Sequence, residues 1–213
     1  MAVMSTTELP FVIKVCGIRN ESDAQMAVDA GANALGFNFY CNSPRYITPA
    51  RASQIIGAVK GEFLRVGVFV NTSEQQLVDI AEEVQLDVWQ LHGHNCAIPT
   101  TTRYRIWRSA YPETLSKELD SRVEAYLVDT PAPVFGGSGT SFDWELVRGS
   151  HCRIILAGGL HADNVKKAVE TVQPWGVDAC SRLETGPGEK DSQKVREFVR
   201  TARAASVGLA KGV

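Results

Sequence analysis

FVIKVCGIRNESDAQMAVDAGANALGFNF, residues 11–39, decides the fold. It opens with the β-rich run FVIKVCG, continues through Glu21 to Ala30 with apolar residues at helical spacing, and returns to a β-rich run, ANALGFNF, from Ala32. Strand, helix and strand in succession are the sequence form of a βαβ unit, which places parallel strands side by side in one sheet. The rhythm repeats outward from there. Further strands are expected at FLRVGVFV from Phe63, LDVWQLHG from Leu86, YRIWRS from Tyr104, AYLVDT from Ala125, RIILAGG from Arg153 and WGVDACS from Trp175, eight in all. Helices are expected over Pro49–Val59, Ser73–Val84, Phe142–Arg148, Ala162–Val172 and Asp191–Ala205, several with Ser, Thr, Asn or Asp in capping position. Asn95–Thr102, with Pro99 and a run of threonines, opposes helix and reads as a loop or single turn. Eight alternating units in about 200 residues fit the small end of the (β/α)8 TIM barrel, whereas an open doubly wound sheet usually uses fewer strands. The expectation is an α/β protein with one barrel domain over residues 11–213. Residues 1–10 carry neither strand nor helix signal and read as a flexible extension.

Composition narrows the function classes. The chain has 213 residues, 44% hydrophobic and 22% charged, which suits one domain with a sizeable core. Its 22 Lys+Arg nearly balance 24 Asp+Glu, giving a formal charge of −2 and no basic excess for a nucleic-acid backbone. No apolar run approaches the roughly 20 residues of a membrane helix, and MAVMSTTELP has neither the basic start nor the apolar centre of a secretion signal. A cytoplasmic protein acting on a small molecule is expected, with no nucleic-acid or membrane partner. Cys16, Cys41, Cys96, Cys152 and Cys180 are odd in number, scattered and never in CxxC spacing, which suggests free thiols and no zinc site.

In a barrel of this kind the chemistry sits at the C-terminal ends of the strands. Cys16 ends the first strand, between Lys14 and Arg19, whose charges favour a thiolate; the bland alternative is a small buried hydrophobe. Asp129 ends AYLVDT, where an acid after four apolar residues is costly to bury without partners or chemistry; a solvated loop acid or a cap is the alternative. PAPVFGGSGTSFDW follows, with three glycines in four residues that could cover a ligand. AGGL (Ala157–Leu160) and CSRLETGPG (Cys180–Gly188) stand after strands seven and eight, where barrels bind phosphate through backbone N–H groups. A tight turn is the plain alternative for Gly158 and Gly159. Arg45, in SPRYI beyond strand two, could pair in bidentate fashion with a substrate carboxylate, or be an ordinary surface arginine.

The string KVCGIRNESDAQMAVDAGANALGFNFYCNSPRYITP, Lys14–Pro49, closely resembles the opening of phosphoribosylanthranilate isomerases, with its KxCGI start, AGAxxxGFxF centre and SPRY(I/V)xP close. The resemblance continues through VGVFVN (Val66–Asn71), VQLDVWQLHG (Val84–Gly93), LVDT (Leu127–Thr130), GGSGTSFDW (Gly136–Trp144), LAGGLHADNV (Leu156–Val165) and PWGVDACSRLETGPGEKD (Pro174–Asp191). It implies an Amadori rearrangement in tryptophan biosynthesis, run by proton transfers with no metal or organic cofactor. By this resemblance Cys16 is the general base at ribose C2 and Asp129 the general acid at the ring oxygen. Arg45 holds the anthranilate carboxylate, and the backbone around Gly158, Gly159 and Ser181 holds the phosphate. Asp178 matches an acid of the family's VDxSSGVE pattern, as a substrate contact or a structural hydrogen-bonding group.

Two departures stand out. VDxSSGVE reads VDACSRLE here, with Cys180 and Arg182 where Ser and Gly are typical. Arg182 must avoid a glycine-only backbone conformation, and its side chain either turns to solvent or pairs with phosphate. Thr140 stands where many relatives carry lysine. A related phosphosugar isomerase with a different or dual substrate, or a silent pathway-binding relative, is the alternative; the thiol at position 16 argues against the first and the retained Cys16, Asp129 and Arg45 against the second. Both monomer and homodimer remain open.

Overall fold

The structure, a computed structural model, describes residues 11–93, 96, 98–99, 102–115, 119–130 and 142–210, with backbone alone at 209–210. The expected N-terminal extension (1–10) and the glycine-rich stretch 131–141, with Thr140, lie outside the described residues. In chain order the elements are β1 (Val12–Cys16), α1 (Glu21–Ala30), β2 (Ala34–Asn38), α2 (Pro49–Ala58), β3 (Leu64–Val70), α3 (Glu74–Val84), β4 (Val88–His92) and β5 (Arg105–Ala110). They continue with β6 (Ala125–Val128), β7 (Ile154–Leu156), α4 (Ala162–Val172), β8 (Gly176–Ala179), β9 (Glu184–Gly186), β10 (Glu189–Lys190) and α5 (Ser192–Ala210). Strands β1 to β8 pair in sequence order, all parallel, and β8 closes back on β1.

Local chemistry explains the helix limits. Asn20, Thr48 and Ser73 accept hydrogen bonds from the backbone N–H groups of Asp23, Arg51 and Gln76, which caps α1, α2 and α3. Asp191 Oδ1 does the same for the N–H groups of Gln193 and Lys194 at the start of α5. Gly31 ends α1 in the left-handed region at φ 103°.

Two apolar layers follow from the alternation of strand side chains. Val12, Ala34, Leu64, Val66, Val88, Trp107, Ala125, Leu127, Ile155 and Ala157 fill the barrel interior. The alternate set, Ile13, Val15, Leu35, Phe37, Phe69, Trp89 and Leu91 among others, packs outward against the helices. Burial of this kind, at about 25 cal/mol per Å² of apolar surface, is the main drive for closing the barrel.

The outer layer is uneven. Where a helix was expected over Phe142–Arg148 there is one 3-10 turn, Trp144–Val147, capped by Asp143. The positive φ of 70° at Gly149 ends the segment too soon after its cap for an α-helix to form. Between β4 and β5 and between β5 and β6 no α-helix occurs among the described residues; Cys96, Ile98 and Leu115 cover the sheet from turns and irregular chain. The short hairpin of β9 and β10 was not anticipated. No described helix is long and apolar enough to cross a membrane.

Candidate active site

Cys16 and Asp129 line one cavity at the C-terminal mouth of the barrel, with Arg45, Gly158, Gly159, Asp178, Ser181 and Arg182. All eight residues singled out from sequence are therefore gathered at one place by β1, β2, β6, β7, β8 and the loops that follow them.

The floor of the cavity is an ion pair. On β1 the side chains of Val12, Lys14 and Cys16 share the inner face, in rising order towards the mouth. Lys14 is fully buried and its Nζ donates to Asp178 Oδ1 at 2.8 Å, from the register partner on β8. Burial alone would lower the Lys14 ammonium, but Asp178 and Cys16 outweigh it and raise its pKa. Gly36, opposite Cys16 on β2, makes the room: a Cβ there would lie 2.7 Å from Cys16 Sγ and 3.0 Å from Lys14 Nζ. The thiol of Cys16 is drawn well below its ordinary range by the neighbouring Cys180 thiol; burial opposes this and the Lys14 ammonium adds to it.

Asp129 faces the cavity just past the end of β6. Burial pushes its carboxyl up to about 6, against the opposing hydrogen bond from the N–H of Thr130 at 2.7 Å. Gly158, at φ 83°, comes so close that a Cβ there would stand 2.8 Å from Asp129 Oδ1 and would overlap Thr130 Oγ1. A glycine is required by both the backbone conformation and the space. The thiol and the carboxyl are thus shifted in opposite senses, the first towards its base form and the second towards its acid form.

The loops after β7 and β8 form the phosphate side. Gly158 and Gly159 both have positive φ, and Asn164 on α4 holds the loop by donating to Gly159 O at 3.0 Å and accepting from the His161 N–H at 2.8 Å. The backbone N–H groups of Gly158, Gly159, Ser181 and Arg182 donate to no described backbone carbonyl. Arg182 lies in a 3-10 turn, Ser181–Leu183, and is absent from the positive-φ residues, so its backbone accepts a side chain without strain. The side chain is exposed and stands at the cavity edge.

Arg45 is less free than a surface arginine. Its Nε and Nη2 form a fork with Glu184 at 2.8 and 2.7 Å, and Lys190 Nζ reaches the same carboxylate at 2.8 Å. Burial pushes the Glu184 carboxyl up, but Arg45 and Lys190 outweigh it and hold it below the usual range. Arg45 lines the cavity, and Nη1 is the guanidinium nitrogen that Glu184 does not engage.

A family model described as N-(5'phosphoribosyl)anthranilate (PRA) isomerase matches residues 13–201. The N-(5'-phosphoribosyl)anthranilate isomerase of Solibacter usitatus is 47% identical over 198 residues, 91% of this chain and 98% of that protein. The crystal structure of phosphoribosyl anthranilate isomerase from Thermotoga maritima superposes with a TM-score of 0.81 at 35% identity, covering 91% of this chain and 99% of that one. A further crystal structure of such an isomerase, in complex with reduced 1-(o-carboxyphenylamino)-1-deoxyribulose 5-phosphate, matches with a TM-score of 0.78 at 32% identity, over 91% and 99%.

This chain belongs to the N-(5'-phosphoribosyl)anthranilate isomerase family.

Against that family's pattern the structure adds residues that sequence reasoning passed over. Lys14 was read only as a neighbouring charge, yet it is the buried cation beneath the thiol. Glu184 and Lys190 were not singled out; their signal was an acid and a lysine flanking the glycines of LETGPGEK. His92, at the end of β4, lines the cavity with its Nε2 2.8 Å from Gln90 Nε2, and burial with the nearby Lys14 lowers its pKa to about 4. It is therefore neutral at pH 7 and offers a hydrogen bond without charge.

Proposed function

We propose that this chain converts N-(5'-phosphoribosyl)anthranilate to 1-(2-carboxyphenylamino)-1-deoxyribulose 5-phosphate in tryptophan biosynthesis, with Asp129 as general acid and Cys16 as general base. The observation that carries the reading is the opposed pair on one cavity: a half-buried carboxyl held towards its protonated form and a buried thiol held towards its thiolate. Protonation of the ring oxygen by Asp129 breaks the bond from C1 to that oxygen and leaves a protonated imine (an iminium) between C1 and the anthranilate nitrogen, which keeps its hydrogen. Cys16 then removes the proton from C2, and the electrons move into a C1–C2 double bond and onto nitrogen. A proton gained at C1 and one lost from the C2 hydroxyl complete the aminoketose. The reaction is an isomerisation, so atoms and electrons balance with nothing supplied from outside.

The N–H groups of Gly158, Gly159, Ser181 and Arg182 suit a phosphate, because oriented backbone donors carry fixed partial positive charge. Arg182 adds a full charge at the rim. Arg45, anchored by Glu184, would meet the anthranilate carboxylate with its remaining edge, and its anchoring removes the entropy cost of ordering it on binding. Asp178 acts from below through Lys14.

Turnover of freshly generated phosphoribosylanthranilate, followed by loss of its fluorescence, tests the assignment. Wild type should be active, and Cys16→Ala and Asp129→Asn should each lose at least about two orders of magnitude in kcat, the usual scale of a general acid or base. An inactive wild type would overturn the substrate; a variant that keeps full turnover would overturn the role of that residue. Arg182→Gly should raise KM several-fold in a salt-sensitive way, and an unchanged KM would leave that side chain to solvent.

A further inference from the structure

The sulfur that follows β8 has no part in the steps above. Strands β1 and β8 run in register with Val15 beside Ala179, so the next step along both chains sets Cys16 beside Cys180. Neighbouring strands keep their backbones about 4.8 Å apart, a spacing at which side chains on one face touch. Both sulfurs line the cavity, and each shifts the ionisation of the other. Cys180 also packs on the backbone carrying Cys16: a Cβ added at Gly17 would stand 3.0 Å from Cys180 Sγ.

Two thiols in contact share one proton after the first ionisation, and their surroundings decide which sulfur carries the charge. Cys16 meets the buried Lys14 ammonium, the two lying together over Gly36, with Asp178 behind that lysine and Arg45 reaching over from the loop after β2. The neighbour from β2 is Gly36, which brings no charge. Cys180 meets Glu184 Oε1 at 3.7 Å and Lys190 Nζ at 3.8 Å, with Arg45 also near. Lys190 and Arg45 are held on Glu184 by contacts of 2.8 Å or less, and the carboxylate between them disfavours a second negative charge on Cys180. The S–H of Cys180 reaches Glu184 only at 3.7 Å, an acceptor already filled by the two cations at 2.8 Å or less, so that long bond competes weakly with a turn of the S–H towards Cys16.

We propose that Cys180 is a positioning residue for the proton transfer: its S–H donates to the sulfur of Cys16, holding that sulfur as a thiolate aimed into the cavity. This rests on the reading of Cys16 as the base. The directions of the two thiol shifts agree, Cys16 lowered and Cys180 raised. A donor to an ionised sulfur is stronger than one between neutral groups, so the contact favours the charged form before the proton is taken. A thiol where relatives typically carry serine keeps the donor and changes its strength.

The test measures kcat/KM against pH for wild type, Cys180→Ala, Cys180→Ser and Cys16→Ala. Alongside it, the pH dependence of alkylation by iodoacetamide is read residue by residue by mass spectrometry, without substrate. In wild type Cys16 should be alkylated before Cys180. In Cys180→Ala the acid limb of kcat/KM and the Cys16 alkylation midpoint should both move up by about one pH unit, which below both midpoints is about a tenfold loss. Cys180→Ser, which keeps the size and a donor, should stay close to wild type and guards against a folding defect in the alanine variant. Three results overturn the proposal: midpoints that do not move in Cys180→Ala, an equal loss at every pH that serine does not restore, or faster alkylation of Cys180 in wild type. Retained turnover in Cys16→Ala would instead overturn the base assignment, and the alkylation titration would still report on the contact between the thiols.

Discussion

Cys16 and Asp129 show how one barrel mouth shifts two ordinary side chains in opposite senses, a thiol towards its thiolate and a carboxyl towards its protonated form. Neither is unusual in sequence; position gives each its character. Asp129 has a testable cost. Its folded carboxyl, at about 6 against 3.8 for an ordinary aspartate, binds a proton more readily in the native state than in the unfolded chain. Stability therefore falls as pH rises from about 4 to 6, and the loss persists above that window. Asp129→Asn removes the slope while keeping the acceptor for the Thr130 N–H. It should melt a few degrees above wild type at pH 7 and level with it at pH 4, while losing turnover; equal melting at both pH values would show the carboxyl to be unperturbed. The shift itself could not be read from AYLVDT, because desolvation depends on what the neighbouring strands and Gly158 place around the carboxyl. The end-of-strand position could be read, and it sufficed to single the residue out.

At the scale of elements, strands and capped helices were legible because they rest on local chemistry: apolar period, capping side chain and terminating glycine act within a few residues of one another. The expected helix over Phe142–Arg148 shortened to one turn because Gly149 leaves too little chain after the Asp143 cap. The hairpin of β9 and β10 was hidden for a different reason. It is held by the pair of Glu184 and Lys190, and the other partner of Glu184, Arg45, lies far away in the chain. Glu184 and Lys190 are buried, and the arginine side chain is largely so, which makes this cluster unlike a surface salt bridge. Glu184→Gln leaves two cations facing each other without their anion and should cost about 3 kcal/mol in urea unfolding, with a raised KM as Arg45 loses its anchor. A loss under about 1 kcal/mol with unchanged KM would reduce the cluster to the energetic level of an exposed pair.

For the whole molecule, closure of eight parallel strands makes the mouth a meeting place for residues from every part of the chain. The outer layer is thickest around β1, β7 and β8, where α1, α4 and α5 pack together, and thinnest over β5 and β6, which turns and irregular chain cover among the described residues. Native-state hydrogen exchange should therefore be slowest for amides of β1, β2 and β8 and faster for those of β5 and β6. Uniform protection around the barrel would show that the irregular cover is as firm as the helices. By itself the sequence determined the alternation of strand and helix, the barrel that this alternation builds, and the placing of Cys16, Arg45, Asp129, Gly158, Gly159, Asp178, Ser181 and Arg182 at strand ends or in the loops beyond them, because each depends on period and position along the chain. Barrel closure, in contrast, sets Lys14 beneath Cys16, puts Glu184 in the fork of Arg45 and brings Cys180 beside Cys16 on the cavity wall. Those contacts join residues remote in sequence, and they arise from strand register and barrel closure, which no local pattern encodes.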